Sequence, residues 1–183
     1  MFKFGQKTNP AIANLVKLIP SKGKVLDLGC GRGANSIFLA ENGFKVTCVD
    51  KDAEVIDHIK KEYPNIKSYR NDIFDFEFLS EEYDLVLAIN VLHFLSFLKV
   101  KRLVEKILSS LKNNGILYLQ VFSVRDPAYK KKGTSIHFFD NQDFPDLFSK
   151  AKILELAEIR TKDNHPPVGK HSHCIYKVTV QKQ

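Results

Sequence analysis

Gly29, Gly31 and Gly33 stand at alternate positions directly after a short apolar run, Val25-Leu26-Asp27-Leu28. The run is long enough for a buried strand and too short for a helix. Ile37-Phe38-Leu39-Ala40 follows at helical spacing. Strand, glycine turn and helix together bring main chain to a ligand at a helix N-terminus. Without a Cβ, such a turn can enter positive φ and let the ligand touch the backbone. A nicotinamide-binding loop would read G-x-G-x-x-G; here the third glycine comes one residue early, and Asp27 precedes the first glycine by two. A tight turn with no ligand is the bland alternative. Three alternating glycines argue against it, because each costs chain entropy.

Further polar groups recur at the ends of apolar stretches. Asp50 closes residues 44–49, with Lys51 beside it. Its carboxylate has two acceptor oxygens, enough for both hydroxyls of a ribose. His93 follows the apolar stretch 83–92 and reads as a general base or as a satisfied histidine beside a pocket. His165, His171 and His173 fall within nine residues near the C-terminal end. His171 and His173 alternate, so a strand would put both on one face, which invites a metal. No cysteine or carboxylate cluster with zinc spacing accompanies them, and no metal is expected. Two readings remain. Arg125, His137, His165, His171 and His173 line a cationic pocket for an oxyanion, or the histidines are surface and packing groups.

Regular elements must hold these groups. Asn9-Pro10 opens a helix with Ile12, Leu15, Val16 and Ile19 on its apolar face, and Pro20 ends it. Strands are expected at 25–28, 44–50, 66–70, 82–90, 116–121, 151–159 and 172–180. Helices are expected at 53–62, capped by Asp52, at 97–111, with Leu98, Leu103, Val104, Ile107, Leu108 and Leu111 inward, and at 143–150. Residues 123–140 break the alternation and read as a polar loop placed to cover a substrate site.

At 183 residues the chain suits one domain, 1–183, and no stretch approaches the roughly 20 apolar residues of a membrane span. No long apolar leader opens the sequence. The odd cysteine count (Cys30, Cys48, Cys174) reads as buried thiols in a reducing, cytoplasmic setting. The net charge of +7 arises from 28 basic and 21 acidic residues. Lys130-Lys131-Lys132 is the only tight basic cluster, so a lysine-rich surface fits better than nucleic-acid binding.

The form Asp27-Leu28-Gly29-Cys30-Gly31-Arg32-Gly33 resembles motif I of the class I S-adenosylmethionine-dependent methyltransferases. The longer form Leu26–Ser36 and the turn 165–173 look like the tellurite-resistance methyltransferase-like group. That resemblance implies an α/β, Rossmann-like seven-stranded mixed sheet of order 3-2-1-4-5-7-6. Strand 7 would be antiparallel, with helices on both faces and the helix within residues 1–20 over the cofactor mouth. It implies S-adenosylmethionine as cofactor and S-adenosylhomocysteine as product. Asp27, Gly29, Cys30, Gly31, Gly33, Asp50 and Lys51 would hold it, with Asp72 and Ile73 on the adenine, and Asn90 and Val91 at the end of the fourth strand. His93, Arg125, His171 and His173 become the catalytic candidates. The implied acceptor is a small, soft or oxyanionic molecule, such as tellurite, selenite or a thiol, and the expected assembly is a monomer or homodimer. Asn90-Val91-Leu92-His93 departs from the Asn/Asp-Pro-Pro-aromatic sequence of amino-methylating DNA enzymes, and no Pro-Cys pair serves a pyrimidine carbon. An RNA or protein acceptor, or a module that binds the cofactor without transfer, remains the alternative.

Overall fold

The structure, a computed structural model, describes residues 8–130, 135–165 and 169–183, with backbone alone at Lys130, Asp163, Asn164, His165 and Lys170. Expectations for residues 1–7, the lysine cluster, the segment 131–134, the turn 166–168 and the His165 side chain lie outside the described residues.

Seven strands form one sheet in the order β3-β2-β1-β4-β5-β7-β6. They are β1 (Lys24–Leu28), β2 (Lys45–Asp50), β3 (Lys67–Arg70), β4 (Tyr83–Ile89), β5 (Leu111–Phe122), β6 (Ala151–His165) and β7 (Gly169–Lys182). The pairings from β3 through β5 are parallel, and β7 runs antiparallel to both β5 and β6. The α/β architecture and strand order are those implied by the motif. β1 and β4 are buried on both faces, which explains why they read as unbroken apolar runs rather than as alternation.

Two apolar cores flank the sheet. One holds α1 (Ile12–Leu15), α2 (Ala34–Glu41) and α3 (Ala53–Glu62) against Val25, Val46, Leu85 and Leu87. The other holds α4 (Phe97–Ser110) and α5 (Asp143–Leu147) against Leu26, Val86, Leu117 and Val178. α3 starts where Asp52 accepts the Glu54 N–H at 2.9 Å, as an N-cap should. In α4 the inward set is Val100, Leu103, Val104 and Ile107, one stripe at i, i+3, i+4 and i+7. Leu98 corrects the expectation: it falls off that stripe and is 60% exposed.

α1 is shorter than its apolar spacing suggests. After Leu15 the chain tightens into three-residue turns, Lys17 N to Asn14 O and Leu18 N to Leu15 O, so α-helical bonding ends there. Ile12 and Leu15 pack on the sheet face beside α2, and no residue of α1 lines the cleft described below. The expected helix 143–150 likewise closes early, at Leu147, and β6 and β7 run several residues past their expected ends. No helix among the described residues is long and apolar enough to cross a membrane.

Candidate active site

The loop between β1 and α2 is pinned to β2. Gly29 N and Cys30 N both donate to Val49 O, at 2.8 and 3.1 Å. Gly31 N donates to Asp50 Oδ2 at 2.8 Å, while Asp52 N donates to Oδ1 at 3.0 Å. Each carboxylate oxygen keeps a lone pair for a further donor. The three glycines have positive φ, but for different local reasons. A Cβ on Gly29 would lie 2.5 Å from Val91 Cγ2, and one on Gly33 would lie 3.0 Å from Ile59 Cδ1. A Cβ on Gly31 would meet nothing within 4 Å among the described residues. Of the three, only Gly31 would take a Cβ without a close contact among the described residues; it reaches the cleft described next through its hydrogen bond to Asp50, whereas Gly29 lines that cleft and neither Gly31 nor Gly33 does.

A cleft of about 360 Å³ opens at the carboxyl ends of β1, β2, β3 and β4. Gly29, Asp50 and Lys51 line one side, Asp72 and Ile73 another, and Asn90 and Val91 a third. All seven are sequence-expected cofactor residues. Asn71, Phe94 and Leu95 complete the lining and were not singled out, although Asn71 adjoins Asp72 and the other two belong to the turn after β4. Asn71 N donates to Asp50 O at 3.0 Å, which ties the ends of β2 and β3 together. Asp72 caps its own turn by accepting the Phe74 N–H at 2.9 Å. Asn90 holds a φ of 57°, a left-handed conformation that asparagine tolerates better than most residues.

Asp27 and Cys30 lie beneath the loop rather than on the cleft. Asp27 is 1% exposed and accepts from Ser36 Oγ at 2.7 Å, which joins β1 to the first turn of α2. Burial pushes its carboxyl up to about 6. Cys30 is buried, and a hydrogen bond with Cys48 together with burial pushes its thiol strongly up. That makes it a packing group and not a nucleophile.

A second cavity, of about 220 Å³, adjoins the first. Asn90 and Phe94 line both. His93, Phe122, Thr161, His173 and Ile175 complete it. Phe122 stacks on His93, with centroids 4.2 Å apart, and makes a tilted ring contact with His173 at 4.7 Å. His93 is 1% exposed, and burial, then the neighbouring His173, pushes its imidazole down to about 4. Its Nδ1 has no hydrogen-bond partner among the described residues.

The remaining candidates separate. His171 Nε2 lies 2.9 Å from His173 Nε2, so His171 reaches the cavity only through its neighbour. Arg125 lines neither cavity; it is 74% exposed and pairs with Glu158 at 2.8 Å. His137 also lines neither. It packs between Phe97 and Phe139, and burial pushes it below the usual imidazole range. The described residues thus bring only His173, and His171 behind it, to the expected cationic pocket. Among the described residues no group of three or more His, Cys, Asp or Glu is arranged to hold a metal ion.

Residues 5–160 match a family model described as a methyltransferase domain. The uncharacterized methyltransferase YodH of Bacillus subtilis (strain 168) is 34% identical over 110 residues, covering 57% of this chain and 46% of that protein. The tRNA N(3)-cytidine methyltransferase METTL2 of Gallus gallus is 28% identical over 189 residues, covering 86% of this chain and 50% of that protein. The chain thus spans about half the length of these curated relatives. The crystal structure of TehB from Haemophilus influenzae superposes with a TM-score of 0.79 at 22% identity, over 96% of this chain and 62% of that one. The matched model spans most of the chain, so the chain belongs to the methyltransferase domain family, and its sheet of order 3-2-1-4-5-7-6 is the class I S-adenosylmethionine-dependent fold.

Proposed function

We propose that the chain transfers the methyl group of S-adenosylmethionine to a small acceptor seated beside His93, Phe122 and His173. The observation that carries this reading is the junction of the two cavities at Asn90 and Phe94. A cofactor in the first and an acceptor in the second would meet there. The twice-bonded Asp50 carboxylate, held in part by the Gly31 N–H, fits an adenosine-bearing ligand. Asp50 accepts from the ribose hydroxyls, Asp72 accepts from the adenine amine, and the Ile73 N–H donates to a ring nitrogen. The bound sulfonium supplies an already activated methyl group. The chain's own residues align the acceptor and keep water away. The aromatic walls of the second cavity serve the latter.

The acceptor class stays with the small, soft molecules implied by the motif, a thiol or a chalcogen oxyanion. The likeness to TehB supports the fold of this reading, and Arg125, paired to Glu158, does not add charge to the pocket. A structured RNA is the second reading, favoured by the net charge of +7 and by the tRNA-modifying relative that spans 86% of the chain. The buried free thiols Cys30, Cys48 and Cys174 fit a reducing, cytoplasmic setting.

Calorimetric titration with S-adenosylmethionine and, separately, NAD⁺ tests the cofactor. Binding of the first without the second is expected; a folded protein that binds neither overturns the reading. Transfer of labelled methyl to thiols, selenite, tellurite and bulk tRNA then separates the acceptors. An RNA acceptor would show binding that weakens steeply with salt, and a small acceptor would not.

A further inference from the structure

Three strands of the sheet begin with lysine: Lys24 opens β1, Lys45 opens β2 and Lys67 opens β3. Lys24 and Lys45 are register partners. Lys67 is the partner of Thr47, two positions along β2 from Lys45. Side chains two apart on a strand share a face, and so do partners on neighbouring parallel strands. All three lysines therefore leave the sheet on one face, from strands about 4.8 Å apart.

They line a further cavity of about 350 Å³, close in volume to the cofactor cleft. Among the described residues Glu82 is the one acid in its lining, and Lys24 Nζ holds it at 2.9 Å. Asp84, the next residue of β4, is taken by Lys112 at 2.9 and 2.8 Å. Lys45 and Lys67 are exposed and make no ion pair among the described residues. Like charges side by side on paired strands repel. Three ammonium groups against one carboxylate leave an excess of two positive charges, and a concave site concentrates that field on whatever enters it. Phe44 and Tyr83 supply apolar wall beside the lysines.

We infer that this cavity binds a small phosphate-bearing molecule, with its phosphate oxygens among Lys24, Lys45 and Lys67 and a ring or other apolar body against Phe44 and Tyr83. An ammonium is a point charge with three donors, which suits the oxygens of a phosphate. A phosphomonoester carries about −1.5 to −2 charges near neutral pH, a match for the excess. A single concave site favours a small molecule over a nucleic-acid strand, whose phosphates call for cations spread along its length. The site is separate from the cofactor cleft. Lys45 and Asp50 are the two ends of β2, about 16 Å apart, with the cleft at the Asp50 end. The inference therefore stands apart from the function proposed above.

The test is calorimetry and amide NMR on the full chain at low salt, with inorganic phosphate, phenyl phosphate, pyrophosphate and a short single-stranded RNA as probes. Phenyl phosphate and pyrophosphate should bind saturably at one site, shifting the amides of residues 24, 44–47 and 67 and leaving those of 50 and 72 in place. Phenyl phosphate should bind more tightly than inorganic phosphate, because its ring meets Phe44 and Tyr83. Lys45→Gln and Lys67→Gln should each weaken pyrophosphate binding about tenfold, the loss of one charged contact. Affinity for S-adenosylmethionine should hold in both, and Tm should not fall, since both side chains are exposed. The site is overturned by the absence of saturable binding, by undiminished binding in both variants, by amide shifts scattered over the lysine-rich surface, or by binding of the RNA alone. Phenyl phosphate binding no better than inorganic phosphate overturns the apolar half of the site.

Discussion

Gly29 and Gly31 sit two residues apart in one loop, yet alanine should cost far more stability at the first than at the second. Either replacement forces a non-glycine residue into the left-handed region, at φ 65° and 51°, which costs about 1–2 kcal/mol. At Gly29 the new Cβ would also stand 2.5 Å from Val91 Cγ2. Carbon atoms in contact rest about 3.5–4.0 Å apart, so Val91 must retreat by roughly 1 Å. Overpacking of that kind adds about 1–3 kcal/mol. Gly29→Ala should therefore cost about 2–5 kcal/mol, a fall in Tm of roughly 5–15 °C for a domain of this size. Gly31→Ala has no such contact and should lower Tm by only about 2–8 °C. Its effect should show in calorimetry, as weakened S-adenosylmethionine binding in a protein that melts almost normally. Val91→Ala removes the atom at 2.5 Å, so the double variant with Gly29→Ala should lose less than the sum of the singles. If Gly31→Ala binds the cofactor with unchanged affinity, or if the two glycine variants are equally unstable, the roles assigned to the two glycines are wrong.

Asp50→Ala should weaken cofactor binding about a hundredfold, the loss of two hydrogen bonds to a charged acceptor, and calorimetry showing unchanged affinity would remove Asp50 from the ribose site. Asp27 binds its proton more tightly folded than unfolded, because burial raises it to about 6. The stability this adds is full below about pH 4 and is lost as pH rises through 6, by about 3 kcal/mol. Asp27→Asn should flatten the urea-denaturation midpoint across that window, and a variant with the wild-type slope would refute the burial argument. Asp84 accepts the Lys24 N–H at 2.7 Å and the Lys112 ammonium at 2.9 and 2.8 Å, tying β1, β4 and β5. Asp84→Ala should destabilise by about 3 kcal/mol in the same denaturation assay, since it strands a half-buried ammonium, while a change under about 0.5 kcal/mol would show the pair to be ornamental.

What could be read from the sequence was local. The glycine loop, the Asp52 cap and Asp50 each announce themselves within a few residues, because strand, turn and helix are contiguous there. Even so, the pattern does not say what each glycine packs against. Gly29 and Gly33 answer to Val91 and Ile59, partners fixed only by packing. Asp27 and Cys30 share the motif but serve its underside. The acceptor side was harder to read, since Phe122, Thr161, His173 and Ile175 meet only through the register of β5, β6 and β7. Arg125 looked like a pocket cation because Glu158, its partner, lies 33 residues away. Asp126 lies in the stretch read as a polar loop, and its contact with His173, 47 residues on, is fixed only by the fold. Leu98 was placed inward by hydrophobicity alone, whereas Val100 completes the helical stripe.

The outer wall of the second cavity comes from a ribbon of two strands among the described residues. β7 pairs with β5 as far as Phe122↔Ile175, but with β6 onward to His165↔Gly169. Past Ile175, toward Gly169, no third strand among the described residues joins the ribbon, and Ser123 N to Cys174 O, at 2.9 Å, together with Asp126 moors it. A lone two-stranded ribbon is marginal in water, whereas β1 and β4 at the centre of the sheet open only with the whole domain. Amide protons of residues 160–165 and 169–174 should therefore exchange with solvent well before those of 25–28. In kinetic terms the two ligands would not be equivalent. The acceptor and its methylated product could come and go through local fraying of the ribbon while the cofactor stays seated, so turnover would follow an ordered sequence with the cofactor first to bind.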